Sequence, residues 1–344
     1  MKRERTIRNW IVLLLALHAV VILAGFFAPY DPTEQDRKNP YLPPMRIHFM
    51  DAQGHFHARP FAYSPKLREG AFDQYEEETA RPLPLRFFVQ GARYRLLGLV
   101  PLRLHLFGAG DERIYLLGSD SYGRDQLSRF LYGGQVSLFA GLLGAGMTLL
   151  LGLSVGTLAG YYGGWRDDLL MRLAELFLAL PWLYLLFALR AFLPLAVSPL
   201  EAFFLIIAVL GAVGWARPAR LVRGVVLSAK ERDFVRAARG FGATSGYLLR
   251  RHILPEASSV VLTQATILVP QFVLAEMTLS FLGLGVPEPV PSWGNLLSSL
   301  QQYSVLVSYW WMYLPALIMV PFFLGYLGLG SELQQSQEPY KIGS

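Results

Sequence analysis

From Val136 to Gly160 the chain runs without one charged residue. At about 1.5 Å per helical residue, such a run reaches across the roughly 30 Å hydrocarbon core of a bilayer. Five more apolar runs accompany it: Ile11 to Phe27, Leu169 to Leu193, Leu200 to Ala216, Ala257 to Gly283 and Val305 to Gly330. Together they predict an all-α polytopic membrane protein with six transmembrane helices. Gly141, Gly144, Gly146, Gly152 and Gly156 mark the second run as a packed span, because small residues let membrane helices approach closely. The first run follows Lys2, Arg3, Arg5 and Arg8 and is broken only by His18. It reads as a span rather than a cleaved signal peptide, since it is long and no small-x-small site precedes Tyr30-Asp31-Pro32.

Composition agrees: 53% of the 344 residues are hydrophobic and 16% are charged, a balance rare in soluble domains. The absence of cysteine excludes disulfides, thiolate metal sites and cysteine nucleophiles. The net charge of +6 needs no nucleic-acid partner, because its basic residues sit in short loops beside apolar runs. Those loops set the topology. Residues 194 to 199 and 284 to 304 hold no Lys or Arg, whereas 1 to 10, 161 to 168 and 217 to 255 are basic or mixed. The positive-inside rule then places both termini in the cytoplasm and the long 30 to 134 connection outside. Arg190 is expected to snorkel to the interface near the end of the third span.

Three regions follow: 1–30, the cytoplasmic N-terminus and first span; 31–117, an extracytoplasmic loop with a small β-rich module; and 118–344, a core of five spans. Within 46 to 117, alternations such as Leu102-Arg103-Leu104-His105-Leu106 have the period of half-buried strands. His55 and His57 share a strand face but lack the further ligands a metal site needs, so no metal is expected. Residues 67 to 82, with Glu76, Glu77 and Glu78, read as a solvated loop.

The densest cationic stretch is 217 to 255, with nine Lys/Arg between Arg217 and Arg251 against Glu231 and Asp233. Phe234, Ala238 and Phe241 recur at i, i+4 and i+7, and Arg232, Arg236 and Arg239 repeat that spacing on another face. A short amphipathic helix should end at Gly240-Phe241-Gly242, with Thr244 or Ser245 capping a second helix that stops at Pro255. The pair would project an apolar knob into the cytoplasm, or lie on the anionic inner leaflet as a basic amphipathic helix. The residues alone leave both open.

At these residues the chain resembles the permease subunits of type I ABC importers, whose EAA motif reads Glu-Ala-Ala, three residues, Gly, nine residues, an apolar position, one residue and Leu-Pro. Arg236-Ala237-Ala238, Gly242 and His252-Ile253-Leu254-Pro255 match that spacing, departing at Arg236 and His252. Further motifs are similar to the C-type subunit of oligopeptide and dipeptide transporters. They include Gly118-Ser119-Asp120-Ser121-Tyr122-Gly123-Arg124-Asp125, continuing through Ser128 and Arg129, then Gly160 to Gly164, Leu279 to Gly285 and Pro291-Ser292-Trp293-Gly294. Departures are Gln135, often Arg in the family, and a 330 to 339 tail poor in the usual charges. The resemblance implies a MetI-like core and a permease moving peptides across the inner membrane. Its partners would be a homologous B-type permease, two ATPase subunits and an extracytoplasmic binding protein. It implies ATPase coupling through Arg236, Ala237, Ala238, Gly242, Ala243, Ile253, Leu254 and Pro255.

No Gly-x-x-x-x-Gly-Lys-Ser/Thr loop is present, so ATP chemistry must come from another chain; no enzyme activity and no cofactor are expected. Glu276 lies about 30 Å along the fifth span from Pro255. With Ser280 and Trp293 it is the candidate translocation pathway or gate, since an acid inside a membrane is a functional hypothesis by default. Glu276 is weighted toward a gate-region structural role over direct substrate contact, and Trp293 and Trp310-Trp311 read as interfacial anchors. Asp120, Arg124, Asp125 and Arg129 read as a local salt-bridge network. The rival reading is a self-contained secondary transporter or channel, which should show internal halves or broken ion-binding helices. A membrane enzyme ranks third for want of a nucleophile, and nickel chelates or other non-peptide solutes stay open as substrates.

Overall fold

In the computed structural model, residues 2–67, 75–96, 98–110, 112–192 and 197–337 are described. The uninterrupted apolar runs become the long helices, because in lipid every backbone polar group must be satisfied within its own segment. Helix α1 is Lys2–Ile22, followed by the single turn α2, Ala24–Phe27, and α3 runs 37 residues from Gln126 to Tyr162. Among the described residues, four helices are long and apolar enough to cross a membrane: 3–22, 126–162, 245–281 and 310–335. A fifth is reached if α6, Pro199–Gly214, and α7, Ala216–Lys230, bent by 45°, form one span.

The sequence count of six differs most at the third run. There α4, Gly164–Ala179, ends at Leu180, whose backbone is extended (ψ 138°), and α5, Trp182–Phe192, begins after Pro181. Proline pushes its preceding residue out of α geometry and removes a helix donor, so the run breaks at that point. The end of this run at Leu193, the exit at Pro194 and the Arg190 side chain lie outside the described residues. Helix α6 restarts with a capping box: Ser198 Oγ accepts from the Glu201 N–H and Glu201 Oε2 accepts from the Ser198 N–H at 2.8 Å.

The start of the basic loop is also helical. Helix α7 buries Ala219, Val222, Val226 and Ala229 at helical spacing and leaves Arg217 and Arg220 exposed on the other side. Short helices α8, Asp233–Gly240, and α9, Ser245–Leu248, follow. Pro255 does not stop α9. A π-helical turn, Leu249–Ile253, leads directly into α10, Leu254–Phe281, with Leu254 itself α-helical (φ −61°, ψ −37°). The i→i+5 pattern of the π turn shifts the hydrogen-bond ladder just where proline lacks a donor, so the helix passes through.

The chain divides into two compact units. The first comprises 1–13, 138–279 and 323–344. Its core holds Ala174, Trp215, Ala216 and Ala219 in one cluster and Val222, Val226, Ala229, Ile253 and Ala257 in another. Here α3 meets α7 backbone to backbone: a Cβ on Gly156 would stand 2.4 Å from the Ala219 carbonyl oxygen. Asp167 of α4 takes both Nε and Nη2 of Arg223 at 2.6 Å, a bidentate pair.

The second unit comprises 14–137 and 280–322. It contains the five described strands. Strands β1 (His48–Met50), β2 (Phe56–Leu67) and β3 (Tyr75–Pro84) form one antiparallel sheet in that order; β4 (Arg86–Leu96) and β5 (Val100–Gly108) form a separate antiparallel hairpin. Residues 75 to 82, expected as loop, are strand instead: Glu76 sits opposite Lys66, a favourable cross-strand charge pair. Residues 68 to 74 lie outside the described residues. The imidazoles of His55 and His57 both turn to one carboxylate, Asp51 Oδ2, at 3.3 and 2.9 Å. Helices α11 (Trp293–Ser298), α12 (Tyr303–Ser308) and α13 (Leu314–Gln337) complete the chain, with Val305, Trp311 and Met312 in a buried cluster.

Candidate functional site

Helix α8 ends in a fully formed glycine cap. The Gly242 N–H donates to the Arg239 carbonyl and the Ala243 N–H donates to the Ala238 carbonyl, the paired 5→2 and 6→1 bonds of a Schellman motif. Gly242 has φ +86°, and a Cβ added there would meet nothing within 4 Å, so the position demands glycine for its backbone rather than for space. Thr244 then caps α9, its hydroxyl accepting from the Tyr247 N–H.

Three buried side chains seat this loop: Val235, Leu248 and Ile253, all at most 1% exposed, with Ile253 packed among Val222, Val226 and Ala257. Arg232 pairs with Glu256 at 2.9 Å. What the loop presents outward is the opposite: Phe241 is 92% exposed and Phe234 is 47% exposed, with Arg236, Ala237, Arg239 and Pro255 also outside the core. Ala238, Ala243 and Leu254 are likewise not part of that buried set. Phe234, Ala238 and Phe241 therefore lie outside the core, and Val235 is the α8 residue that packs inward.

The second concentration of charge precedes α3, in the other unit. Gly123 has φ +71°, and a Cβ there would lie 1.8 Å from the Asp36 carbonyl oxygen, so only glycine makes this turn. The turn lets Asp120 accept from the Tyr122 N–H and Arg124 N–H through Oδ1 while Oδ2 takes Arg124 Nε at 2.6 Å. Arg124 and Arg129 then converge on Glu288, at 2.6 and 2.8 Å. Both guanidinium groups are buried, Arg129 to 2% exposure. Gly118 joins the same segment, its carbonyl accepting from the Gln126 N–H.

Asp125 stands apart from these ion pairs. It accepts from the Ser128 N–H and hydroxyl at 2.7 and 2.6 Å, capping the start of α3. Complete burial pushes its carboxyl up to about 6, against the lowering effect of those Ser128 bonds.

The candidate pathway residues are all buried. Glu276 is fully enclosed on α10; Ser280, one turn on, is 3% exposed. Trp293 is not an interfacial anchor. It is 2% exposed, stacks on Phe130 at 5.6 Å, donates from Nε1 to the Phe130 carbonyl and donates its backbone N–H to Ser137 Oγ. Gly133 and Gly134 provide the room, since Cβ atoms there would meet Ser292, Trp293 and Val21. Trp311 is buried too, while Trp310 is 61% exposed. Gln135 donates to the Val21 and Ile22 carbonyls.

Sequence reasoning missed Glu288, the acid on which both arginines close. The signal was available: it is a lone acid in a stretch, 284 to 304, without Lys or Arg, so its cation must come from elsewhere in the chain. Asp167, partner of Arg223, carried no such signal.

Residues 152–333 match the family described as binding-protein-dependent transport system inner membrane component. The dipeptide transport system permease protein DppC of Bacillus subtilis is 34% identical over 223 residues, 64% of this chain and 68% of that protein. The oligopeptide transport system permease proteins OppC of Bacillus subtilis and Haemophilus influenzae are each 35% identical, covering 64% and 66% of this chain and 70% and 71% of those proteins. With long apolar helices, a glycine-capped basic loop and these relatives, the chain belongs to the inner membrane components of binding-protein-dependent transport systems, the multi-pass permeases of type I ABC importers.

Proposed function

We propose that this chain is a permease subunit that imports dipeptides or oligopeptides, working with a homologous B-type permease, two ATPase subunits and an extracytoplasmic substrate-binding protein. The peptide class follows the names of the relatives. Six crossings are assigned, with α4–α5 as a broken third span and α6 the fourth. Both termini and the 217–255 loop face the cytoplasm, 31–117 faces outward, and 118–344 forms the MetI-like core.

In this reading Arg236, Ala237, Ala238, Gly242, Ala243, Ile253, Leu254 and Pro255 form the coupling element. Closure of the ATPase pair would turn α8 and α9 as a rigid body and switch the pathway around Glu276, Ser280 and Trp293 between outward and inward access. The observation that supports this is the contrast within the loop: an exposed Phe234 and Phe241 held on a helix whose other side is seated by Val235, Leu248 and Ile253. A surface that is rigid below and apolar above suits docking into a protein cleft better than it suits a mobile lipid-bound helix.

The test is ATP-driven peptide uptake by the assembled complex carrying Gly242→Trp. Loss of uptake, with assembly and ATP hydrolysis retained, supports coupling. Peptide uptake by this chain without any ATPase would overturn the importer reading in favour of a secondary transporter.

A further inference from the structure

We propose that the β4–β5 hairpin lies on the outer leaflet of the bilayer as an interfacial anchor, its arginines in anionic lipid headgroups and its leucines below them. The proposal rests on α1 being a membrane span.

The hairpin is fastened to the end of that span. Gly25 of α2 lies against the Tyr94 ring so closely that a Cβ would stand 2.1 Å from it. The His105 ring nitrogens lie 2.6 Å from the Ala28 carbonyl oxygen and 2.9 Å from that of Ala92, and the Phe26 and Phe88 rings are 6.4 Å apart. Since α2 begins two residues after α1 ends, these contacts hold the hairpin at the level where the hydrocarbon core gives way to headgroups.

Its exposed chemistry matches that depth. Residues 85 to 110 contain Arg86, Arg93, Arg95 and Arg103 and no acid. Strand alternation puts Leu102 and Leu104 on one face of β5 and Arg103 with His105 on the other, Arg103 being exposed. Both leucines are exposed on a two-stranded sheet that no further strand joins among the described residues, as are Phe88 and the turn residue Leu99 at 81%. Phe88 adopts φ +55°, a conformation bulky residues avoid, and still projects outward. Cations interleaved with exposed leucine and phenylalanine are the pattern of a segment lying in the membrane interface. A face meant for water would not carry them, and a face built for an acidic protein would not need four exposed apolar side chains beside the span.

The chain has no cysteine, so Leu99→Cys, Leu102→Cys and, as control in the other sheet, Gln53→Cys each take a single nitroxide label. The full chain in its assembled complex is reconstituted in phosphatidylcholine vesicles with and without one quarter phosphatidylglycerol. Collision of each label with oxygen and with a water-soluble nickel chelate is then measured. Labels at 99 and 102 should favour oxygen over nickel several-fold more than the label at 53, and nickel shielding should deepen when phosphatidylglycerol is present. Nickel access at 99 and 102 equal to that at 53 would overturn the proposal. So would labels immobilised and shielded from both reagents in either lipid, which would mean a docked protein. Shielding indifferent to lipid charge would overturn the headgroup contact of the arginines.

Discussion

The basic loop around α8 and the charge cluster before α3 both consist of arginines, small residues and glycines at positive φ, yet they are organised in opposite ways. In the loop, Arg236 and Arg239 point outward, Phe241 is almost wholly exposed, and only Val235, Leu248 and Ile253 are inside. In the cluster, Arg124 and Arg129 are inside and closed upon Asp120 and Glu288. A buried ion pair is sensitive to loss of either partner because the other is left unpaired. An exposed arginine or phenylalanine has little to lose within its own chain. Similar composition thus serves a surface in one place and an interior constraint in the other, and substitutions should separate the two.

The strongest separation is expected from Arg129→Leu, which strands part of the Glu288 and Asp120 charge. A loss of about 3–5 kcal/mol is expected, read as collapse of the monodisperse peak of detergent-extracted protein. Survival of that peak at wild-type level would show that the cluster is not an interior constraint.

Next is the pH response of Asp125, whose folded value near 6 lies above the ordinary 3.8. Between about pH 4 and 6 the folded state holds more protons than the unfolded state, so stability falls as pH rises through that window, by up to about 3 kcal/mol, and is level above it. Thermal unfolding across pH should show this slope in the wild type and lose it in Asp125→Asn; an unchanged slope in the variant would assign it to another group.

Glu288→Gln removes one partner from each arginine at a carboxylate that is itself 47% exposed, so water compensates in part. About 1–2 kcal/mol is expected, below Arg129→Leu, in the same extraction assay. A larger loss than Arg129→Leu would reverse the order of the two sides of the network.

Smallest in stability is Phe241→Ala, within about 0.5 kcal/mol of wild type by thermal shift. Its uptake by the assembled complex should nevertheless fall sharply. Equal loss of stability and uptake would make the loop an interior element like the cluster.

Much of this was legible because local rules sufficed. The glycine at 242 and the threonine at 244 announce a cap and a restart, and both take those roles. Apolar length located the cores of α1, α3, α10 and α13. The third run failed where a local signal, Leu180-Pro181, was outweighed by overall apolarity, and α7 was hidden by the charge of a segment whose valines and alanines nonetheless keep helical spacing. Trp293 was beyond local reading: whether a tryptophan beside a span sits at the lipid interface or inside depends on Gly133 and Gly134, far away along the chain. A similar distance separates Arg124 and Arg129 from Glu288.

The π turn before Pro255 makes residues 245 to 281 one continuous helix. At 1.5 Å per residue that is a rod of about 55 Å, nearly twice the hydrocarbon thickness it crosses. A pivot at one end displaces the other by about 1 Å for each degree of tilt. The bend that proline usually imposes would have split the segment at its base; the π turn carries the ladder past Pro255, and Pro270, fifteen residues farther on, is the next place in α10 where a backbone donor is missing.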